Sequence, residues 1–154
     1  AACKDSQWAY FYAKNVDKEP RDDTREASCK NSYFACLYAQ YVDREPRDDT
    51  REVACKKLYS AYYYAEYVDK CPRDETRETV CESAGYAYYY AINIDKCPRD
   101  DTRKAVCEDS KYALAYARDV DMCPHEDTWE AVKNTGYEEQ YKKIFNELLK
   151  DQII

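Results

Sequence analysis

The chain is 154 residues long, enough for one ordinary domain. Its 24 Lys and Arg against 31 Asp and Glu give a net charge of −7, which argues against general nucleic-acid or anionic-membrane binding, since both need a net basic face. No apolar run approaches the roughly 18 residues of a membrane span; 2 Gly residues exclude a Gly-rich phosphate loop, and 1 His excludes His-pair zinc sites and most acid–base relays.

Two counts are unusual, 18 Tyr and 9 Cys. Leu, Ile, Val and Phe make up only 21 residues, and with 36% charged residues that composition by itself suggests disorder. Periodicity contradicts disorder. Pro20, Pro46, Pro72, Pro98 and Pro124 stand 26 residues apart, as do Cys3, Cys29, Cys55, Cys81 and Cys107. Two Ala columns (starting at Ala9 and Ala13), an Asp column (Asp17, Asp43, Asp69, Asp95, Asp121) and a Thr column (Thr24, Thr50, Thr76, Thr102, Thr128) keep the same phase. Five repeats follow: 3–28, 29–54, 55–80, 81–106 and 107–132. The missing aliphatic area must come from Tyr rings, close Ala packing or covalent staples.

The first half of each repeat reads as a helix. In the third it runs from about Leu58 to Val68, with Ala61, Tyr64, Ala65 and Val68 on one face at i, i+3, i+4, i+7. Tyr63 and Tyr67 form a second stripe beside it. A helix apolar on two faces is touched from several sides. The second half starts after Pro. Asp23 and Glu26 match a capping box, as do Asp49/Glu52, Glu75/Glu78 and Asp127/Glu130, while Lys104 breaks the device after Asp101. This helix, of about eight residues, is too short to stand alone in water and must pack through Val80, Val106 and their equivalents.

Residues 137–154 read as a final amphipathic helix, with Tyr141, Ile144, Phe145 and Leu148 on one face, and residues 133–154 as a whole as a terminal cap. The expected fold is therefore all-α: a single repeat domain, 1–154, forming a right-handed α-solenoid of five helix-turn-helix repeats with a C-terminal capping helix. The first repeat has no comparable cap. An uncapped end is a docking surface for another molecule. The segment Ala131-Val132-Lys133-Asn134-Thr135-Gly136-Tyr137 resembles the AVKxxG-type units of short α-helical tandem-repeat proteins of uncharacterised function. That resemblance implies a helical repeat and no activity. The Tyr-rich helix, the Pro-Arg-Asp-Asp-Thr-Arg block and the Cys columns depart from it.

A second cysteine column sits before Pro in the last three repeats: Cys71, Cys97 and Cys123. Pairing each with the cysteine 16 residues earlier gives Cys55–Cys71, Cys81–Cys97 and Cys107–Cys123 and uses every late-column thiol. Pairing forward by 10 gives Cys71–Cys81 and Cys97–Cys107 but leaves Cys123 facing Lys133. Against the first scheme, its partners flank a helix of about 11 residues, roughly 16 Å long, whereas a disulfide needs Cα atoms within about 7 Å. The third alternative is Cys as a small buried hydrophobe. Cys3, Cys29 and Cys36 remain as free or interchain thiols. Disulfides, together with an N-terminus that fits signal-peptide removal or a trimmed chain, imply a secreted or cell-surface protein.

Each candidate chemistry has a plainer structural counterpart. The Asp column offers oxygens for Ca²⁺, but Arg21 and Arg25 supply countercharges for an ion-pair lattice, the simpler reading. Tyr12, Tyr38, Tyr64, Tyr90 and Tyr116 recur at one position. They form a recognition or stacking column for flat ligands, or, more simply, inter-repeat packing. The Cys-Pro dipeptides resemble thiolate haem sites but fit a stapled helix start. His125 beside Cys123 lacks the third, orienting group of a Cys–His pair. The Arg21, Arg47, Arg73, Arg99 row is interleaved with Asp and reads as a mixed-charge face. The function expected is non-catalytic: a structural or interaction repeat protein, self-assembling or binding a protein partner, without cofactor. The alternative is a small-molecule or metal-ion binder using the Tyr or Asp columns.

Overall fold

The structure, a computed structural model, describes residues 5–150, with side chains through residue 146. All regular structure among them is helical. The long rods are α1 (Ser6–Tyr12), α3 (Ser32–Tyr38), α5 (Leu58–Tyr64), α7 (Ala84–Tyr90) and α9 (Ser110–Tyr116). Each continues without a break into a π-helical turn: Ala13–Asp17, Ala39–Asp43, Ala65–Asp69, Ala91–Asp95 and Ala117–Asp121. The short helices are α2 (Asp22–Ser28), α4 (Asp48–Ala54), α6 (Asp74–Val80), α8 (Asp100–Val106) and α10 (Glu126–Val132), and α11 (Glu138–Lys150) closes the chain.

Two expectations about these elements need refinement. The rod does not end as an α-helix. Lys18 N–H reaches back five residues to the Ala13 carbonyl at 2.8 Å, and Arg44, Lys70 and Lys96 repeat the bond onto Ala39, Ala65 and Ala91. The residue after each π turn is left-handed, with φ between 54° and 59° at Lys18, Arg44, Lys70, Lys96 and Met122, and it stops the rod as a C-terminal cap. The capping box also gives way. The short helices start two residues earlier than the Asp-cap reading places them, with Arg21, Arg47 and Arg99 as N-caps that contribute no side-chain cap bond. Asp23 instead accepts from the adjacent Thr24 N–H at 3.0 Å and pairs with Arg21 Nε at 3.3 Å.

The chain divides into two compact units, one ending at Thr79 and one beginning at Val80. In the first unit α1, α3 and α5 lie side by side, π turn beside π turn, with α2 and α4 filling in between. The second unit repeats the arrangement with α7, α9, α8 and α10, and adds α11 against α10.

The core is built from the columns seen in the sequence. Ala9, Ala35, Ala61, Ala87 and Ala113 and their partners four residues on are fully buried, letting rods approach closely. Val80, Val106 and Val132 are buried on the short helices. Tyr38, Tyr64, Tyr90 and Tyr116 are the largest side chains enclosed, together with Tyr141 of α11. Each such ring removes 150–250 Å² or so of surface, which is how a chain poor in Leu and Ile obtains its apolar burial.

Candidate functional site

Of the two readings of the Tyr column, a recognition surface or inter-repeat packing, the buried copies Tyr38, Tyr64, Tyr90 and Tyr116 follow the second. In the first unit the Tyr38 hydroxyl enters the start of α2. It accepts from Arg21 N–H at 3.0 Å and meets Thr24 Oγ1 at 2.8 Å, while Thr24 Oγ1 lies 3.1 Å from the Arg21 carbonyl. Tyr64 makes the same set with Arg47 and Thr50 at the start of α4. In the second unit Tyr116 does so with Arg99 and Thr102. The orphan N–H of a short helix is thus satisfied by the next repeat's phenol rather than by its own Asp. Tyr12 alone of this column is exposed among the described residues, at 42%.

The Asp column joins the same lock. Asp43 receives Arg25 through Nε at 3.0 Å and Nη2 at 2.7 Å, Asp69 receives Arg51, and Asp121 receives Arg103. These carboxylates are 1%, 0% and 2% exposed. Each guanidinium also holds an acid three residues earlier, as Arg25 holds Asp22 at 2.6 Å, and lies over the tyrosine ring, 5.6 Å from the Tyr38 centroid for Arg25. The carboxylate hydrogen bonds hold these arginines protonated well above the ordinary guanidinium range. Oxygens bound by guanidinium are not ligands for calcium, so Asp43, Asp69 and Asp121 belong to an ion-pair lattice. No three His, Cys, Asp or Glu side chains converge to hold a metal among the described residues.

The expected disulfides are not made. Among the described residues Cys29, Cys36, Cys55, Cys71, Cys97, Cys107 and Cys123 are free thiols. Cys55 and Cys71 lie beyond opposite ends of the Leu58–Asp69 rod, which at about 1.5 Å per residue is roughly 18 Å long; Cys81–Cys97 and Cys107–Cys123 repeat that separation around their own rods. The structure therefore keeps the 16-residue partners at opposite ends of a helix, beyond reach. Burial pushes the Cys36 thiol up to about 12 and those of Cys29 and Cys107 to about 11, so all three are protonated and unreactive at neutral pH. Cys3 lies outside the described residues.

Arg21, Arg47 and Arg99 pair with Asp23, Asp49 and Asp101 on a mixed-charge surface. His125 Nδ1 accepts from Asp127 N–H at 3.3 Å, so this lone imidazole caps α10. No helix among the described residues is long and apolar enough to cross a membrane.

What remains on the surface is a feature that the sequence reading left out. Tyr33, Tyr59, Tyr41 and Tyr67 are each between 43% and 52% exposed. They belong to a run of rings across α3 and α5: Tyr33 to Tyr59 at 6.4 Å, Tyr59 to Tyr63 at 5.9 Å, Tyr63 to Tyr67 at 4.6 Å. The Tyr63 hydroxyl bonds Gln40 Oε1, and Lys14 lies 4.2 Å over the Tyr41 ring. Tyr67 and Tyr41 border a groove of about 410 Å³ that also takes in Arg44 and Lys70. The signal for this strip was in the columns. Tyr33 and Tyr59 are replaced by Gly85 and Lys111 in later repeats, and Tyr41 and Tyr67 by Asn93 and Asp119. Rings that the repeat does not require occur in two adjacent repeats only.

Compared with known proteins, the chain matches no family model, no curated protein and no solved structure.

Proposed function

We propose that the chain is a non-catalytic interaction array, in which repeated helix pairs form a scaffold and the Tyr33–Tyr59–Tyr63–Tyr67 strip recognises a protein partner. One observation carries this reading: four half-exposed tyrosines sit together where the repeat itself tolerates Gly, Lys, Asn or Asp. Contiguous exposed apolar surface marks interaction sites. Tyrosine suits them, because it offers a large, stiff contact area and a hydroxyl at low entropic cost. Arg44 and Lys70, at the border of the adjoining groove, favour a partner with acidic residues beside its apolar contact.

Most copies of the Tyr and Asp columns that a small-molecule or ion binder would use are engaged in packing and ion pairs, which favours the interaction reading. The test is affinity capture with the intact chain and with a Tyr59→Ala/Tyr67→Ala variant, followed by titration of the purified partner against both. Loss of binding by at least tenfold in the variant, with unchanged circular dichroism, is expected. Equal affinity for both proteins would remove the strip from the recognition surface.

A further inference from the structure

The lock between repeats has two halves. One repeat gives Thr and Arg from the start of its short helix, and the next gives Tyr and Asp from its rod. In the first repeat the second half is present and nothing among the described residues fills it. Tyr12 is 42% exposed, although Tyr38, Tyr64 and Tyr116 in the same column are sealed. Asp17 is only 12% exposed as a side chain, and its Oδ2, sheltered from solvent, has no hydrogen-bond partner. Its nearest cation is Arg21, whose Nε lies 3.9 Å away and is engaged at 3.3 Å by Asp23. A buried acceptor without a donor is costly, and in the same column Asp43, Asp69 and Asp121 each take a bidentate guanidinium. Trp8, 69% exposed, occupies the column of Phe34, which reaches back to within 6.1 Å of the Tyr10 ring of the preceding repeat.

We infer that this face of α1 is a docking surface for one kind of occupant: a further repeat of the same class, offering an uncovered short helix with the Thr-Arg pair of the Arg-Asp-Asp-Thr-Arg block. The argument is continuity with the interface already repeated inside the chain. The arginine would take Asp17, the threonine would meet the Tyr12 hydroxyl, and Trp8 would be covered by the occupant's rod. A second copy of the chain does not offer this helix from its last repeat. There Tyr141 of α11 already takes the Thr128 hydroxyl and His125 N–H, and Trp129 stands where the arginine would be. The inference deepens the interaction reading by naming a partner, but uses a different surface from the aromatic strip. Either can fail alone.

The test is the whole chain extended by one repeat, a copy of residues 29–54 placed directly ahead of Cys3, which keeps the 26-residue phase. Docking predicts that Trp8 emission shifts to the blue and that the urea midpoint rises. It also predicts that Asp17→Asn lowers the midpoint in the extended chain, while leaving it unchanged or raising it in the natural one. Replacing the inserted arginine that corresponds to Arg51 should abolish the difference between the two backgrounds. Unshifted Trp8 emission, or an extended chain that does not fold, overturns the inference. A second measurement stands apart from the insertion. In the natural chain Asp69→Asn should lower the midpoint clearly and Asp17→Asn should not; equal losses would mean that Asp17 is already satisfied, and the docking surface would be withdrawn.

Discussion

The Tyr64 hydroxyl and Thr50 Oγ1 lie 2.8 Å apart, buried, at the junction between the second and third repeats. Neither group reaches solvent, and the phenol also serves Arg47 N–H at 2.9 Å. Removing the hydroxyl by Tyr64→Phe leaves that N–H and the threonine short of a partner, at a cost of about 1–3 kcal/mol. Thr50→Val should fall in the same range. The double variant should cost less than the sum, because the two changes remove one shared network. Urea denaturation of the four proteins reads this directly.

The Arg51–Asp69 pair has a larger penalty on one side than the other. Asp69→Ala leaves a guanidinium enclosed at the junction with only Asp48, which is itself exposed, to balance it. Breaking a buried pair in this way costs about 3–5 kcal/mol. Replacing both partners by apolar groups should recover a large part of that loss. The comparison of Asp69→Ala with Arg51→Met/Asp69→Leu measures it.

The rods begin with unequal caps. Asn31 accepts from Tyr33 and Phe34 N–H, and Asp109 accepts from Lys111 N–H, but Lys57 at the same position offers no side-chain cap. Lys57→Asn should therefore stabilise the chain by about 1 kcal/mol, the ordinary worth of an N-cap. The thermal midpoint is the readout, and Lys30→Asn, one position off the cap, is the control.

Thiol chemistry separates the cysteines by burial. Cys97 and Cys123 are exposed and Cys36 is fully enclosed, its Sγ directed at the Ser60 carbonyl at 3.4 Å. A thiol reagent should label Cys97 and Cys123 in the folded protein and Cys36 only after unfolding. The alkaline limb of stability follows from the same burial. The folded Cys36 thiol titrates near 12 against an ordinary 9.0, so the folded state holds a proton that the unfolded state releases. That contribution is whole below pH 9 and is lost as pH rises toward 12, by up to about 1.4 kcal/mol per pH unit. Cys36→Ala should flatten the decline relative to the natural chain, as read by urea midpoints between those two values.

Most of the architecture was legible because it is written five times. Ala61, Tyr64, Ala65 and Val68 share the buried face that their spacing predicts, and Tyr141 and Phe145 of α11 are enclosed as the cap requires. Three things were hidden, each for a physical reason. The π turns have no composition of their own, since Ala65–Asp69 satisfies a helical period with or without the longer bond. The junction lock joins residues 14 and 18 apart on different helices, and no local rule couples Thr50 to Tyr64 or Arg51 to Asp69. The capping box failed because the helix begins two residues ahead of Asp23, where the next repeat's phenol accepts the N-cap N–H of Arg21. The exposed strip was legible only in part: Tyr63 and Tyr67 stood out as a second stripe, but Tyr33 and Tyr59 carry their information only as departures from the repeat.

The π turn sets the angular phase of everything that follows it. A rod closed by an ordinary four-residue bond would bring its last residues round by one position, about 100° of rotation per residue. The Asp43 carboxylate would then swing away from Arg25, and the left-handed stop at Arg44 would move with it. One surplus residue per rod is thus the gearing that lets identical copies mesh.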